Sequence, residues 1–253
     1  MTAILEEIGS VLGKFDPISL DQMSGIKLMN RIDTKYLVNV NQLPELLKRA
    51  KNDYYAQEID GSRMASYRTV YYDTQDAEMY VIHHNKKLNR QKIRMREYVN
   101  SDQYFLEIKK KNNKGRTKKI RIKVVNDDVS HQQEAVEFVD TKSNYRMSQL
   151  SPRLQNQFYR ITLVNKAKTE RLTIDMEIRF HNFKTNNDDC IHKLCIIEVK
   201  QDGNMHSPFK DYLEDMRIKQ KSVSKYCLGM VLTDENLKRN RFKSKLFYIT
   251  SVS

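Results

Sequence analysis

Tryptophan is absent from this chain of 253 residues, and glycine (7), proline (4) and cysteine (3) are scarce. So little Gly and Pro excludes collagen-like and low-complexity chains, and leaves little material for a glycine-rich nucleotide loop. There is no Gly-x-x-x-x-Gly-Lys pattern and no His-Arg-Asp followed by Asp-Phe-Gly, so the two common ATP-binding architectures are excluded. Three cysteines cannot build a disulfide framework, which makes a reducing compartment, the cytoplasm, the expected location. No apolar run approaches the roughly 20 residues that span a bilayer. The stretch Met1 to Phe15, with Glu6 and Glu7, does not read as a signal peptide.

What the chain has in excess is positive charge: 45 Lys+Arg against 32 Asp+Glu, a formal net charge of +13. Apolar residues make up 39%, and with Tyr 14, Phe 9 and Met 11 there is ample material for one core, so wholesale disorder is excluded. No linker or internal repeat divides the sequence, and a single domain over 1–253 is expected. Ile4, Leu5, Ile8, Val11 and Leu12 have helical spacing; Asn41 is placed to cap a helix carrying Leu43, Leu46, Leu47 and Ala50. Strand-like runs follow at 67–72, 91–98, 104–111, 118–125, 158–164, 171–180 and 194–200, after a first at Lys35–Val38. Segments 134–139 and 150–157 read as helical, and 208–246 as helices broken near Gly229. Many sequential strands with short connectors predict an α+β protein whose antiparallel sheet closes into a barrel.

Residues two apart on a strand share a face. That rule groups Lys92, Arg94, Arg96 and Tyr98; Phe105, Glu107, Lys109 and Lys111; and Lys119, Arg121 and Lys123. It also groups Arg171, Thr173, Asp175, Glu177 and Arg179 against Leu172, Ile174, Met176, Ile178 and Phe180, and sets Glu198 beside Lys200. A solvated antiparallel sheet alternates in the same way. A solvated face, however, usually mixes charges, because Lys–Glu pairs stabilise neighbouring strands. Three neighbouring strands dominated by one sign repel each other unless a polyanion lies between them. Carboxylates brought among such cations (Asp175, Glu177, Glu198) are what a hard divalent metal requires. Tyr98 and Phe105 are the only aromatics clearly on the Lys/Arg faces, too few for the stacking platforms of a nucleic-acid binder, so nucleic acid is not expected as a partner.

Arg31-Ile32-Asp33-Thr34-Lys35-Tyr36, Tyr71-Tyr72-Asp73-Thr74, the Lys-x-Arg-x-Arg strand at 92–96, Leu106-Glu107-Ile108-Lys109, Arg171-Leu172-Thr173-Ile174-Asp175, Ile197-Glu198-Val199-Lys200 and Ser224-Lys225-Tyr226 occur in that order. Together they resemble the VTC domain, the polyphosphate polymerase domain of the triphosphate tunnel metalloenzymes, related to CYTH proteins. The resemblance covers about 31–226, with the N-terminal helix and the C-terminal helical tail outside that core. It implies a closed, eight-stranded basic tunnel that holds Mn or Mg and transfers the γ-phosphate of ATP onto inorganic polyphosphate. By the same resemblance Lys35, Arg94, Arg96, Lys109, Arg160, Arg171, Lys200 and Lys225 are the phosphate-binding catalytic set. Lys119, Arg121, Tyr36 and Tyr159 bind substrate, and Glu198 is the metal ligand. The alternatives of the same fold are a tripolyphosphatase or nucleoside triphosphatase and a noncatalytic polyphosphate-binding module. A separate membrane protein, at the inner face of the membrane, is the further partner the family allows.

Other residues have plainer readings. Strand tyrosines, including Tyr36, Tyr72, Tyr159 and Tyr226, more often pack than touch ligand. Asp33 and Asp73 are read as orienting a neighbouring Lys or Arg, and Glu107 is either a second ligand or a charge partner. Cys190-x-His192-x-x-Cys195 lacks a fourth ligand and the spacing of a closed zinc site. His83-His84 sits on a predicted helix as surface, and Lys238, Arg239, Arg241, Lys243 and Lys245 form a solvated basic tail that could instead attract anionic lipid or polyphosphate.

Overall fold

Strands that alternate apolar and charged residues must bury one face and turn the other toward something polar, and one curled sheet satisfies all of them at once. A computed structural model describes residues 2–24, 31–203 and 205–252; Met1, 25–30, Asn204 and Ser253 lie outside the described residues. The strands are β1 (Asp16–Ile18), β2 (Arg31–Asn39), β3 (Tyr54–Gln57), β4 (Ala65–Asp73), β5 (Arg90–Tyr98), β6 (Gln103–Lys111), β7 (Thr117–Val124), β8 (Ser151–Asn165), β9 (Glu170–Asn182), β10 (Asn187–Ile191) and β11 (Leu194–Asp202). The α-helices are α1 (Thr2–Leu12), α2 (Leu20–Ser24), α3 (Leu43–Ala50), α4 (Glu78–His84), α5 (Gln133–Lys142), α6 (Pro208–Asp215), α7 (Lys225–Thr233) and α8 (Lys243–Val252).

The main path of hydrogen-bonded strands runs β2-β11-β9-β8-β4-β5-β6-β7, antiparallel throughout. The expected closed barrel is not formed: among the described residues β2 and β7 are the two ends of this path, with no pairing between them. The free edge of β2 is taken instead by the chain that leads into α7: Tyr36 bridges Gln220, and the Lys221 N–H donates to the Lys35 carbonyl at 2.8 Å.

On the outer face, Val38, Ile197, Ile174 and Ile161 lie under Leu43, Leu46 and Leu47 of α3, with α1 and α6 completing the layer. A second outer layer joins Ile93, Met95, Leu106 and Ile108 to Ala135 and Val139 of α5. The inner face is apolar at one end only. There α7 inserts against Tyr71, Leu154, Phe158, Ile178, Phe180, Leu37 and Ile196.

Four local expectations change. Segment 150–157 begins β8 instead of forming a helix; the helical spacing of Leu150 and Leu154 is overridden by pairing of Leu154–Arg160 with β4 and β9. The alternation along β9 holds through Met176 and then reverses. Glu177 has φ 50° and sits where the β8–β9 register shifts, the signature of a bulge, so Ile178 and Phe180 turn inward and Arg179 outward. Gly229 does not break a helix; it lies in the middle of α7. Asn39, not Asn41, supplies the capping oxygen before Val40–Gln42, a single 3-10 turn that leads into α3.

Candidate functional site

The pairing registers bring one residue of every second position onto the inner face. Row by row these are Asp33 and Lys35 (β2), Glu198 and Lys200 (β11), Arg171, Thr173 and Asp175 (β9), Phe158 and Arg160 (β8), Tyr67, Thr69 and Tyr71 (β4). The rows continue with Lys92, Arg94 and Arg96 (β5), Phe105, Glu107 and Lys109 (β6), and Lys119 and Arg121 (β7). Lys225, the first residue of α7, reaches the same face from the apolar end; Ser224 caps the helix by accepting the Cys227 N–H at 3.3 Å.

Three carboxylates organise these cations. Asp175, buried, accepts from Arg160 Nε at 2.6 Å and Nη2 at 2.8 Å, a bidentate pair, and also contacts Lys225 Nζ. Glu107, buried, accepts from Arg94 Nε at 2.8 Å and Lys119 Nζ at 2.9 Å. Glu198 pairs with Lys200 Nζ at 2.9 Å and Lys35 Nζ at 3.3 Å. Burial pushes each acid up, but the surrounding cations hold all three well below the ordinary carboxylate range: Arg160 and Lys225 for Asp175, Arg94 and Arg96 for Glu107, Lys200 and Lys35 for Glu198.

Positive charge still dominates. Lys92, Arg96, Lys109 and Arg121 have no carboxylate within ion-pair distance among the described residues. Lys92 Nζ donates to Ser224 Oγ at 2.6 Å, Arg96 Nε to Thr69 Oγ1 at 3.4 Å, and the Arg121 guanidinium lies 4.5 Å from the Phe105 ring centre. Burial, then neighbouring Lys35, lowers Lys109 to about 8. Burial also brings Lys225 down to about 8, despite Asp175. The phenol of Tyr71 registers the field: burial would raise it, yet Arg94, Lys92 and Lys225 pull it down to about 8. An anion with several oxygens would relieve this repulsion and exchange places with the carboxylates on the Arg forks.

Of the residues singled out in the sequence, Lys35, Arg94, Arg96, Lys109, Lys119, Arg121, Arg160, Lys200, Lys225 and Glu198 come together on this face. Arg171 lies on it opposite Lys200, but at its rim, with Nη2 donating to the Met23 carbonyl at 3.3 Å and Nε buried without a partner. Tyr36 and Tyr159 do not join the face. Tyr36 packs in the outer core, because it alternates with Lys35, and Tyr159 is 46% exposed on the outside of β8. Asp33 pairs with Arg31 at 2.7 Å. Asp73 orients no cation; it accepts the N–H groups of Met79 and Tyr80 at the start of α4 and the Tyr226 hydroxyl. His84 is buried beside Tyr80 and Phe242, not on the surface, and burial together with nearby Lys92 and Arg90 lowers His83 to about 2. Cys195 is in the outer core, Cys190 is exposed, and His192 Nδ1 lies 2.8 Å from Glu177.

Tyr67 and Phe158 are inner-face residues that the sequence reading left outside the site, whereas Lys92 and Asp175, which alternation places on the basic face, do lie on it. Tyr67 stacks on Phe158 at 5.5 Å and 4°, and on its other side meets Tyr98, which meets Phe105. The Arg160 guanidinium lies 5.0 Å from the Tyr67 ring centre, so the aromatic strip fixes arginine orientation. Counting two positions back from Thr69 and from Arg160 would have found both rings.

A divalent cation is tested by its donors. Among the described residues no group of three or more His, Cys, Asp or Glu could hold a metal. Glu198 is the one acid on the face whose partners are both lysines, mobile point charges that an incoming group can displace. One carboxylate suits Mg or Mn that arrives with phosphate oxygens and keeps several waters, and does not suit an all-protein cage.

No curated protein matches the chain in sequence. Among solved structures it is similar to HpAC1 from Hippeastrum, described as an adenylyl cyclase candidate with a dominant triphosphatase activity. That comparison gives 13% identity and TM-score 0.48, covering 81% of this chain and 97% of that one. It is also similar to an adenylate cyclase candidate from Vibrio parahaemolyticus (11%, TM-score 0.46, 80% and 99%) and to PH1819 from Pyrococcus horikoshii (14%, TM-score 0.44, 80% and 98%). The family model of the VTC domain matches residues 30–233, a span that includes every strand of the inner face and Lys225, and the chain belongs to the VTC domain family.

Proposed function

We propose that the inner face binds the triphosphate of ATP and a polyphosphate chain, and that the protein transfers the γ-phosphoryl group from one to the other. The observation that carries this reading is the self-repelling cationic face with Lys92, Arg96, Lys109 and Arg121 unmatched by carboxylates. Family membership supports it. Phosphoryl transfer needs little covalent help; it needs donor and acceptor held in line and the charge on the transferred oxygens offset. Arg94, Arg96 and Arg160 supply planar forks for nonbridging oxygens, and Asp175 and Glu107 keep two of those forks aimed before substrate arrives. Lys35, Lys109, Lys200 and Lys225 supply point charges that follow the chain as it moves. Glu198 would hold Mn or Mg, which would supply Lewis-acid stabilisation of the charge on the phosphoryl group.

Removal of the carboxylate charge separates turnover from binding. Glu198→Gln is expected to lower turnover of ATP by at least about 100-fold while polyphosphate affinity is kept or rises, since Lys35 and Lys200 are released. Turnover at the wild-type rate in that variant would refute the assignment of Glu198. The second reading is a triphosphatase, in which water takes the place of the polyphosphate chain as acceptor. Release of phosphate without polymer is its mark; binding with neither product is that of a noncatalytic module.

A further inference from the structure

At one end the basic inner face gives way to aromatic rings. From β8 through β4 and β5 to β6, Phe158, Tyr67, Tyr98 and Phe105 form one strip. Tyr67 lies parallel to Phe158, Tyr98 meets Tyr67 at 5.0 Å and 59°, and Phe105 meets Tyr98 edge-on at 5.5 Å and 80°. Tyr67 and Phe158 are buried, and the Arg160 guanidinium lies 5.0 and 5.2 Å from their ring centres. Tyr98 and Phe105 are only half-buried. Next to them on β7 stand Arg121 and Lys123, both exposed, with Lys123 directly opposite Phe105.

The order along the strands gives this end its meaning. On β5 the inner-face residues run Lys92, Arg94, Arg96, Tyr98, and on β6 they run Lys109, Glu107, Phe105, so the rings follow the last arginine fork. Glu198 belongs to the other end, where Lys109 feels both Lys35 and Glu198. A triphosphate with its terminal phosphate toward Glu198 and Lys109 brings its first phosphate toward Arg96. Tyr98 stands two residues further, about 7 Å along the strand, a step that a ribose spans. A bare phosphate chain gains nothing from an aromatic face, whereas half-exposed rings beside a cationic groove suit a flat heterocycle attached to phosphates. Two such rings are too few for a nucleic acid and enough for one base.

We infer that Phe105 and Tyr98 form a base subsite at the end of the inner face, and that its occupant is the base of a purine nucleoside triphosphate, stacked on Phe105 beneath Arg121. The Arg121 guanidinium already lies 4.5 Å from that ring centre and has no carboxylate within ion-pair distance among the described residues. Nothing ties it down, so it lifts by the thickness of a base and closes on the base's other side. Stacking reads the ring and not its edge, so purines are preferred to pyrimidines by area, and adenine is not distinguished from guanine. The inference rests on the proposed binding of triphosphate by the inner face, and adds what tells a nucleotide from inorganic triphosphate.

The test is calorimetric titration of the full chain with ATP, CTP and inorganic triphosphate, with metal omitted so that no turnover intervenes. ATP is expected to bind more tightly than CTP. Phe105→Leu and Tyr98→Leu keep apolar bulk without the aromatic face; each is expected to weaken ATP about tenfold and to leave inorganic triphosphate within about twofold. In the wild type, NMR saturation transferred from the protein is expected to reach the adenine H2 and H8 protons, a readout that needs no variant. The subsite is overturned if both variants bind ATP as the wild type does, if ATP and inorganic triphosphate weaken together, or if no saturation reaches the adenine protons. In each of these cases tight binding of inorganic triphosphate by the wild type leaves the inner-face reading standing. A wild type that binds neither ATP nor inorganic triphosphate overturns both.

Discussion

Lys109 and Lys225 set the pH behaviour of the inner face. Both titrate near 8 in the folded protein, against 10.5 ordinarily, because burial disfavours their charged forms. Between these values the unfolded chain holds more protons, so their contribution to stability rises from pH 8 to 10.5 and is lost as pH falls through 8. Tyr71, lowered from 10.0 to about 8, acts in the same direction up to pH 10. Anion binding responds oppositely, since deprotonation strips positive charge from the face. Polyphosphate affinity is therefore expected to decline above about pH 8 while the thermal midpoint of the ligand-free protein rises. Lys109→Arg, which stays charged, should flatten the affinity decline, and parallel decline of both quantities would contradict the account. Asp175 makes a second case. It is 2% exposed between Arg160 and Lys225, and Asp175→Asn leaves two buried cations without their counter-charge. Removing one partner of a buried pair costs about 3–5 kcal/mol, and a bound anion restores the missing charge. Calorimetry should show a lower midpoint for the variant, and a larger rise on adding polyphosphate than the wild type shows.

At the scale of elements, α7 does two things at once: it closes the apolar end of the inner face and carries Lys225 to Asp175. Gly229 permits that approach. A Cβ there would stand 2.4 Å from Phe180 Cδ1 and 2.5 Å from Leu154 Cδ2. Gly229→Ala gains about 1 kcal/mol of helix propensity and loses about 1–3 kcal/mol to overpacking. A net lower thermal midpoint, with weaker polyphosphate binding through displacement of Lys225, is expected; an unchanged or higher midpoint would show that Phe180 and Leu154 yield freely. The same positions explain what could be read from the sequence. Lys92–Arg96, Phe105–Lys109 and Lys119–Arg121 alternate without interruption, so period two placed them on one face correctly. Glu177 interrupts β9 with a bulge, which depends on backbone conformation at one residue and leaves no mark in the pattern. Gly229 reads as a helix breaker by composition, and only the proximity of Phe180, 49 positions earlier by residue number, makes it a packing residue. Tyr36 and Tyr159, which the family resemblance implied as substrate-binding, adjoin the inner-face residues Lys35 and Arg160, and adjacency on a strand is what sends a side chain to the other face.

For the whole molecule, about half of the net charge of +13 lies where a curled sheet turns its strands' basic sides toward one another. The outer face spends its alternation on two helix-covered cores, and the inner face is left to electrostatics. That division was legible from composition and alternation together; the failure of the sheet to close was not, because the free edge of β2 is met by Gln220 and Lys221, a contact between residues far apart in the chain. A phosphate polymer is the occupant proposed for that face. The most direct test incubates the purified protein with ATP and Mn or Mg, then resolves products on a gel beside a phosphate-release assay. The account expects a ladder of polyphosphate whose growth requires the metal and is lost in Glu198→Gln. Consumption of ATP to free phosphate with no polymer at any length would contradict it.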